Sequence, residues 1–589
     1  MKKANTIRHS LSHIMAHAVQ DLFPGTKFGI GPSIENGFYY DFDLPTGPPS
    51  GRTGKAGLPI SLTPEDLPKI EKRMRELIKQ NIEFERSLMS RKKAIEFFRK
   101  LKQPYKIELI KGLKTKSATI YKSGDFIDLC KGPHVKSAKE INSDAFKLTK
   151  IAGAYWKGDE KNPMLQRIYG VAFNVKKELD DYLKKQKEAE KRDHRIIGQK
   201  LDLFSIDEEV GPGLILWHPR GAMLRQIIED FWIKKHLKNG YELIKTPHIG
   251  RIKLWQTSGH TNFYKENMYS PMKVEGDEYL IKPMNCPFHI KIYNTKIHSY
   301  RDLPIRWAEL GTVYRYERSG VLHGLTRVRG FTQDDAHIIC ASEQLTDEIM
   351  KAVRFGIKLL KAFGFKDYNI YLATRPKKYV GTLKNWEKAT NALKYVLDKL
   401  KLKYEIDAGG GVFYGPKIDI KINDSLGREW QCTTVQFDFN LPERFQMKYI
   451  DKSGKKKKPY MIHRALLGSI ERFIGVLLEH YAGALPVWLS PEQIWIVPVG
   501  NRHNKYAYQV ETKLKEKNIR VEVKDENETV SKKIRNGELQ KIPYILVVGD
   551  KEQKSNSVRV RDRKKGDIGI VKLDKFIEQI NKKVEDNNN

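Results

Sequence analysis

The stretch Arg315–His337 reads RYERSGVLHGLTRVRGFTQDDAH. Arg315, Arg318, Arg327 and Arg329 stand around Glu317, and the segment ends in the polar run Thr332-Gln333-Asp334-Asp335-Ala336-His337. TVYRYE alternates apolar and polar residues, SGVLHG carries turn glycines, and LTRVRGF alternates again, which predicts strand, turn, strand. Such a hairpin would set Arg315, Glu317, Arg327 and Arg329 on one face. Guanidinium forks grip phosphate oxygens in pairs and stay charged, so this face suits a polyphosphate. The competing reading is a solvated charged hairpin.

Two further stretches bear on that choice. Cys286 lies in KPMNCPFH and His463 in MIHRALLGSIERF. With His337 they form a Cys-His-His set, and three protein ligands with an open fourth position is the catalytic zinc pattern. Taken singly, each is as well read as a buried thiol or an ordinary histidine. Near the start, RHSLSHIMAHAVQDLF carries His9, His13 and His17 at helical spacing, so His9 and His13 share a face. GDFIDLCKGPH adds Asp128, Cys130 and His134. These residues are open to three readings: a four-ligand zinc site, a hydrolytic pocket, or an amphipathic helix with exposed histidines.

The chain has 589 residues, enough for several domains, and 40% hydrophobic content, enough for packed cores. Its 107 Lys+Arg against 72 Asp+Glu give +35, with a local cluster at residues 455–458. Such a field favours a polyanion such as RNA, or an anionic membrane. Four cysteines, Cys130, Cys286, Cys340 and Cys432, lack a disulfide-framework spacing and fit a reducing cytoplasm. No signal peptide is read at the basic N-terminus, and no apolar run is long enough to span a membrane. LPTGPPSGRTGKAGLP after Asp43 reads as an extended surface loop, KKELDDYLKKQKEAEKRD as a charged linker helix, and the terminal EDNNN as a disordered tail. After Pro491, QIWIVPVG, RVEVKD and YILVVGD predict an α/β module with a mainly parallel sheet.

RYERSGVLHGLTRVRGFTQDDAHI resembles motif 2 of the class II aminoacyl-tRNA synthetases in its threonyl form. KPMNCPFH, QCTTVQFDFNLPERF and MIHRALLGSIERF resemble the other core blocks of that family, GSIERF being similar to motif 3. The resemblance covers almost the whole chain. It implies an α+β multidomain protein: an α+β editing domain at 1–173, a linker helix at 174–194, a class II antiparallel-sheet catalytic domain at 195–489, and an α/β anticodon-binding domain at 490–589. It also implies ATP-dependent activation of L-threonine, transfer to tRNA(Thr), and hydrolytic editing of mischarged seryl-tRNA(Thr). GLILWHPRGAMLRQIIEDFWIKKHLKNGYELIKTPHI resembles motif 1, which implies a homodimer. The small ubiquitin-like domain that usually precedes the editing domain is missing from the pattern.

Carried over residue by residue, the resemblance assigns Arg315 to the α-phosphate of ATP and the threonine carbonyl, and Glu317 to the adenine end. Arg327 and Arg472 would hold the outer phosphates, Phe331 would stack on adenine, and Lys417 and Gln431 complete the ATP set. Cys286, His337 and His463 would hold one Zn²⁺ per subunit, with Mg²⁺ accompanying ATP. Asp335, Gln333, Gln436 and Tyr414 would form the threonine pocket, and His260 would meet the tRNA acceptor end. His9, His13, Lys106, Asp128, Cys130 and His134 match the editing pattern, which is not thought to need zinc. Glu552 and Arg561 would read anticodon bases, with Arg559 and Arg563 on phosphate. The rivals are an RNA-binding paralogue without catalysis and a hydrolase that only edits. The first would be expected to lose one of Arg315, Arg472, Cys286, His337 or His463, and the second leaves motifs 1 to 3 unexplained.

Overall fold

The computed structural model describes residues 2–45 and 61–588. The chain divides into two compact units, residues 1–187 and 188–589. The Pro/Gly-rich loop expected after Asp43 lies almost wholly outside the described residues.

In the first unit, α1 (Lys2–Leu22) buries Leu11, Ile14, Met15, Ala18 and Val19 along one side. His13 and His17 are buried with them, so an exposed histidine stripe is not what this helix presents. It packs on β1 (Gly37–Asp43) and on α2 (Leu67–Lys79). The strand β1 pairs antiparallel with β6 (Met164–Ala172), which pairs with β5 (Phe146–Tyr155). A second antiparallel sheet joins β2 (Phe84–Ser90), β3 (Ser117–Ser123) and β4 (Phe126–Leu129). The short helix α3 (Pro104–Lys111) carries Lys106. The charged run forms α4 (Lys176–Lys191), in which only Leu179 is buried.

The second unit is built on an eight-stranded sheet. Its centre runs β7 (Ile305–Tyr314), β8 (Gly330–Cys340), β12 (Tyr460–Ala465), β11 (Glu429–Asp438) and β10 (Lys417–Asn423), all antiparallel; β9 (Tyr368–Ala373) lies outside β10. Side chains alternate across a strand, so β8 has two faces with different duties. Ala336 and Ile338 join the hydrophobic core with α7 (Leu345–Ala362) and α8 (Ile470–Tyr481). Gln333, Asp335 and His337 point the other way, toward α6 (Cys286–Tyr293). The helix α5 (Pro219–Lys238) begins with Pro at its first turn. It seats so closely that a Cβ on Gly221 would stand 1.8 Å from the Leu203 carbonyl oxygen.

The hairpin around Arg315 is present, but its strands are displaced from the expected positions. β7 ends at Tyr314 and β8 begins at Gly330, paired from Ile305↔Ile339 to Tyr314↔Gly330. The four arginines therefore lie on the connecting loop, and the polar run Thr332–His337 is strand. Burial on both faces of β8 explains the shift: its polar residues line a site and do not face bulk solvent.

The C-terminal module is a five-stranded mixed sheet and not a mainly parallel one. β13 (Ile494–Pro498) pairs parallel with β14 (Val521–Val523) and β15 (Tyr544–Val548). β16 (Ser557–Asp562) and β17 (Gly566–Lys572) add antiparallel, because the tight turn between them leaves no room for a crossover helix. Between β15 and β16 sits α9 (Asp550–Lys554). The final helix, α10 (Leu573–Asn588), runs through most of the stretch expected to be a disordered tail.

Candidate functional site

Register brings the Cys-His-His set together. His337 on β8 and His463 on β12 are direct cross-strand partners, and Gln436 on β11 is the next partner in the same row. Cys286 opens α6 above them. One ligand atom from each of Cys286, His337 and His463 lies within 4.8 Å of the other two, and all three residues are buried. Burial pushes the Cys286 thiol well up and the His337 imidazole well down, so the His337 ring is held in its neutral, ligating form, while Cys286 is held as a thiol that would give up its proton on binding a metal cation. His463 donates Nε2–H to Asp438 Oδ2 at 2.8 Å, which leaves Nδ1 bare. That bare nitrogen stands 2.9 Å from His337 Nε2. One sulfur and two imidazole nitrogens with a carboxylate behind one ring fit a zinc ion.

Beside this set is a cavity of about 170 Å³, lined by Asp335, Gln333, Tyr414, Gln436 and Tyr264 among others. Tyr414 donates to Gln436 Oε1 at 2.6 Å, and Asn285 donates to Asp335 Oδ2 at 3.1 Å. A second cavity of about 390 Å³ is lined by Arg315, Glu317, Arg327, Phe331, Gln431 and Arg472. Arg315 and Gln333 line both, so the two cavities share a wall. The Arg315 guanidinium carbon lies 5.1 Å from the centre of the Phe331 ring, and its Nε–H donates to the Pro283 carbonyl at 3.3 Å. Arg327 pairs with Glu317 at 3.0 Å. Arg472 is held at the start of α8, where Ser469 Oγ caps the helix, and it donates to Thr326 O at 3.2 Å. Arg329 is not part of this cavity lining; it donates to the Glu317 carbonyl at 2.9 Å and so ties the loop to itself.

Lys417 is not in either lining. Its ammonium meets Asp419 Oδ2 at 2.5 Å, and Gln431 donates to the other oxygen of Asp419 at 2.8 Å. His260 is fully buried, behind Phe413 and Tyr264, with Nδ1 at 2.6 Å from Ser258 Oγ. Burial, then His463, Arg315 and Arg444, bring its pKa down to about 3.

The N-terminal residues also converge. Lys106 and Asp128, both about 2% exposed, form an ion pair. Tyr40 donates to Asp128 Oδ2 at 2.6 Å and accepts from Lys106 at 3.0 Å. His13 Nε2 lies 3.6 Å from the same carboxylate. Nearer the solvent, where His9, Cys130 and His134 are only half-buried, Cys130 Sγ is 3.3 Å from His9 Nε2 and 3.2 Å from His134 Nε2. Burial pushes the Cys130 thiol up to about 12 and the His134 ring far down. These are neutral groups around one buried ion pair, an arrangement that can orient a water molecule.

Glu552 and Arg561 occupy neighbouring elements, α9 and β16. Glu552 accepts from the Gly549 N–H at 3.0 Å and caps its own helix. Arg561 lines a cavity of about 440 Å³ with Glu538 and Lys564. Arg559 is paired with Asp567 at 2.7 Å. Arg563 does not present itself to phosphate: its guanidinium is spent on the carbonyls of Ala484, Leu485 and Lys541.

Sequence reasoning missed Tyr40, Asp438, Asn285, His289 and Glu309. Asp438 had a usable signal, since it lies two residues after Gln436 and so on the same face of the strand. Tyr40 had none, because GFYYDFD reads as an ordinary buried strand. A third group able to hold a metal, Asp193, His194 and Glu479, is a structural tie. His194 accepts from the Leu325 amide at 2.9 Å and donates to Glu479 at 2.6 Å, which occupies both ring nitrogens.

Three family models match the chain: "tRNA synthetase class II core domain (G, H, P, S and T)" at 269–481, "Anticodon binding domain" at 493–583, and "Threonyl and Alanyl tRNA synthetase second additional domain" at 118–169. The chain is 55% identical over 578 residues to the threonine–tRNA ligase of Sulfurihydrogenibium sp. strain YO3AOP1, covering 98% of this chain and 88% of that protein. It is 53% identical to that of Aquifex aeolicus strain VF5, covering 98% and 89%. To that of Borreliella afzelii strain PKo it is 52% identical, covering 98% and 97%. A crystal structure described as the RNA binding domain of threonyl-tRNA synthetase from Cryptosporidium parvum Iowa II superposes with a TM-score of 0.64 at 42% identity, covering 66% of this chain and 98% of that one.

Proposed function

The chain belongs to the threonine–tRNA ligases, and from that premise we infer how its residues divide the work. It activates L-threonine with ATP and transfers the threonyl group to tRNA(Thr). The observation that carries the site reading is the shared wall: the Cys286–His337–His463 set opens into a small polar cavity that meets the arginine-lined cavity at Arg315 and Gln333.

A threonine seated beside Asp335 and Gln436 would point its carboxylate at Arg315. The α-phosphate of ATP would reach Arg315 from the other side, with adenine toward Phe331 and the outer phosphates toward Arg327 and Arg472. The carboxylate attacks phosphorus already ionised, so no general base is needed. Catalysis is then positioning and neutralisation of the charge that develops on the phosphoryl oxygens. Zinc held by Cys286, His337 and His463 would supply coordination for the amino group and hydroxyl of threonine, and so a test for the hydroxyl that valine lacks. Mg²⁺ would accompany the ATP phosphates.

Serine passes the hydroxyl test, and losing one methyl is worth only about 1–3 kcal/mol, so a second, hydrolytic site is expected. We assign hydrolysis of seryl-tRNA(Thr) to the pocket of His9, His13, Lys106, Asp128, Cys130 and His134, with Tyr40 added. Glu552 and Arg561 remain the candidates for anticodon contacts, and His260 for the acceptor end once the wall of Tyr264 and Phe413 moves. Exposed apolar side chains in and beside α5, among them Leu216, Met223, Leu237 and Leu243, support a homodimer through this element. No described helix is long and apolar enough to cross a membrane, and all four cysteines are unpaired, which supports a cytoplasmic setting.

The test is amino-acid-dependent ATP–pyrophosphate exchange on zinc-replete protein and on Cys286→Ala. Exchange with threonine, weaker exchange with serine, almost none with valine, and collapse in the variant are expected. No exchange with any of the three by folded, zinc-loaded protein overturns the reading.

A further inference from the structure

We propose that Glu309 and His289 form a relay that fixes which nitrogen of His337 is bare, and so sets the strength of the metal site. The proposal rests on reading Cys286, His337 and His463 as ligands. It concerns two residues that touch neither substrate nor metal and act as positioning residues.

His289 lies three residues after Cys286 on α6, so both face the sheet from adjacent turns. It is fully buried. Its Nε2 is 3.1 Å from Glu309 Oε2 on β7, and its Nδ1 is 2.7 Å from His337 Nδ1. Burial alone would raise the Glu309 carboxyl, but the His289 bond, the Lys282 ammonium and the Thr246 amide outweigh it and hold the carboxylate below its usual range. An ionised carboxylate only accepts. The His289 proton therefore sits on Nε2, and His289 Nδ1 is bare. A bare nitrogen at 2.7 Å requires a donor, so His337 carries its proton on Nδ1. His337 Nε2 is then bare and faces the bare Nδ1 of His463 at 2.9 Å. Two facing lone pairs repel unless a cation lies between them. The carboxylate charge at Glu309 is thus converted, across two rings, into a ligand nitrogen in the right tautomer. Asp438 does the same for His463 across one ring.

The rest of the Glu309 environment makes this testable. Glu309 Oε1 accepts from the Thr246 backbone N–H at 2.7 Å. That N–H can only donate, so in Glu309→Gln the amide oxygen must turn toward Thr246 and the amide nitrogen toward His289 Nε2. The relay would then invert: His289 donates from Nδ1, and the His337 proton is driven onto Nε2, where it blocks the ligand position.

The experiment measures zinc affinity of the full-length chain by competition with a chelator of known strength. Zinc bound elsewhere is subtracted with the Cys286→Ser protein. Glu309→Gln is expected to weaken the Cys286-dependent zinc by about 10- to 100-fold, the usual scale for losing an outer partner of a ligand histidine. Glu309→Gln also leaves Lys282 without its buried carboxylate partner, so its metal-free thermal midpoint is expected to fall. Affinity is therefore read at a temperature where both metal-free proteins are folded, and the pair of His289 variants supplies the readout that a loss of stability alone would not move. His289→Gln, which can still donate to Glu309 and accept from His337, should stay close to the parent, and His289→Phe should not. Equal affinity of parent and Glu309→Gln overturns the relay while leaving the ligand reading intact. If Cys286→Ser removes no zinc from the parent, the ligand reading falls and the relay with it. Should Glu309→Gln not fold, the two His289 variants decide, and equal affinity between them overturns the proposal.

Discussion

Arg315 is the residue on which the two cavities meet, and its side chain is already held by Pro283 and Phe331 before any substrate arrives. Preorganised donors aimed at developing charge are worth about 100- to 1,000-fold in rate each. Arg315→Ala is therefore expected to cut threonine-dependent pyrophosphate exchange by at least that factor, with zinc content unchanged; exchange within tenfold of the parent would remove Arg315 from the mechanism. Cys130 gives the opposite lesson. With its thiol pushed up to about 12 by burial first, against a free-cysteine value of 9, it is a neutral donor and acceptor and not a thiolate nucleophile. One factor of ten in thiolate per pKa unit predicts alkylation by iodoacetamide at pH 8 about a thousandfold slower than for a free cysteine. The other three cysteines are buried, so the count of rapidly labelled thiols in folded protein should be near zero.

At the scale of elements, what could be read was chemistry in short spacings, and what could not was partnership at long range. His9 and His13 one turn apart on a helix, and the antiparallel hairpin itself, follow from local periodicity. The exact strand bounds did not, because Gln333, Asp335 and His337 look like a polar loop until β7 and β12 are known to flank them. His289 and Glu309 were invisible for the same reason: each acts through a partner tens of residues away. The other face of β8 carries the strongest element-level prediction. Asp334 accepts from Arg464 at 3.0 Å and from the amides of Leu466 and Leu467, all fully or almost fully buried. Removing one partner of such a pair strands a buried charge, at a cost of about 3–5 kcal/mol. Asp334→Asn should lose that much in urea denaturation, and a loss below 1 kcal/mol would show that the pair does not hold β8 to β12.

Across the whole molecule, burial works on histidines in one direction. His13, His134, His260, His236 and His337 all have pKa values below the free value of 6.5, each chiefly by burial, His260 to about 3. The unfolded chain takes up these protons near 6.5 and the folded chain resists them. Stability is thus intact above that pH and is lost as pH falls from 6.5 toward 3. Denaturation midpoints should decline steadily between pH 7 and pH 4; a flat profile over that range would contradict the burial of these rings.

The alternation of duties along β8 also says something about how this enzyme can change over generations. Positions 333, 335 and 337 line the small cavity, while 334, 336 and 338 are held in the core. Drift at the odd-numbered positions is therefore expected to reshape the cavity more than the core, and drift at the even-numbered positions to do the reverse. A combinatorial library confined to Gln333, Asp335 and Gln436 should therefore yield folded protein in nearly every clone, whatever amino acid each clone has come to prefer.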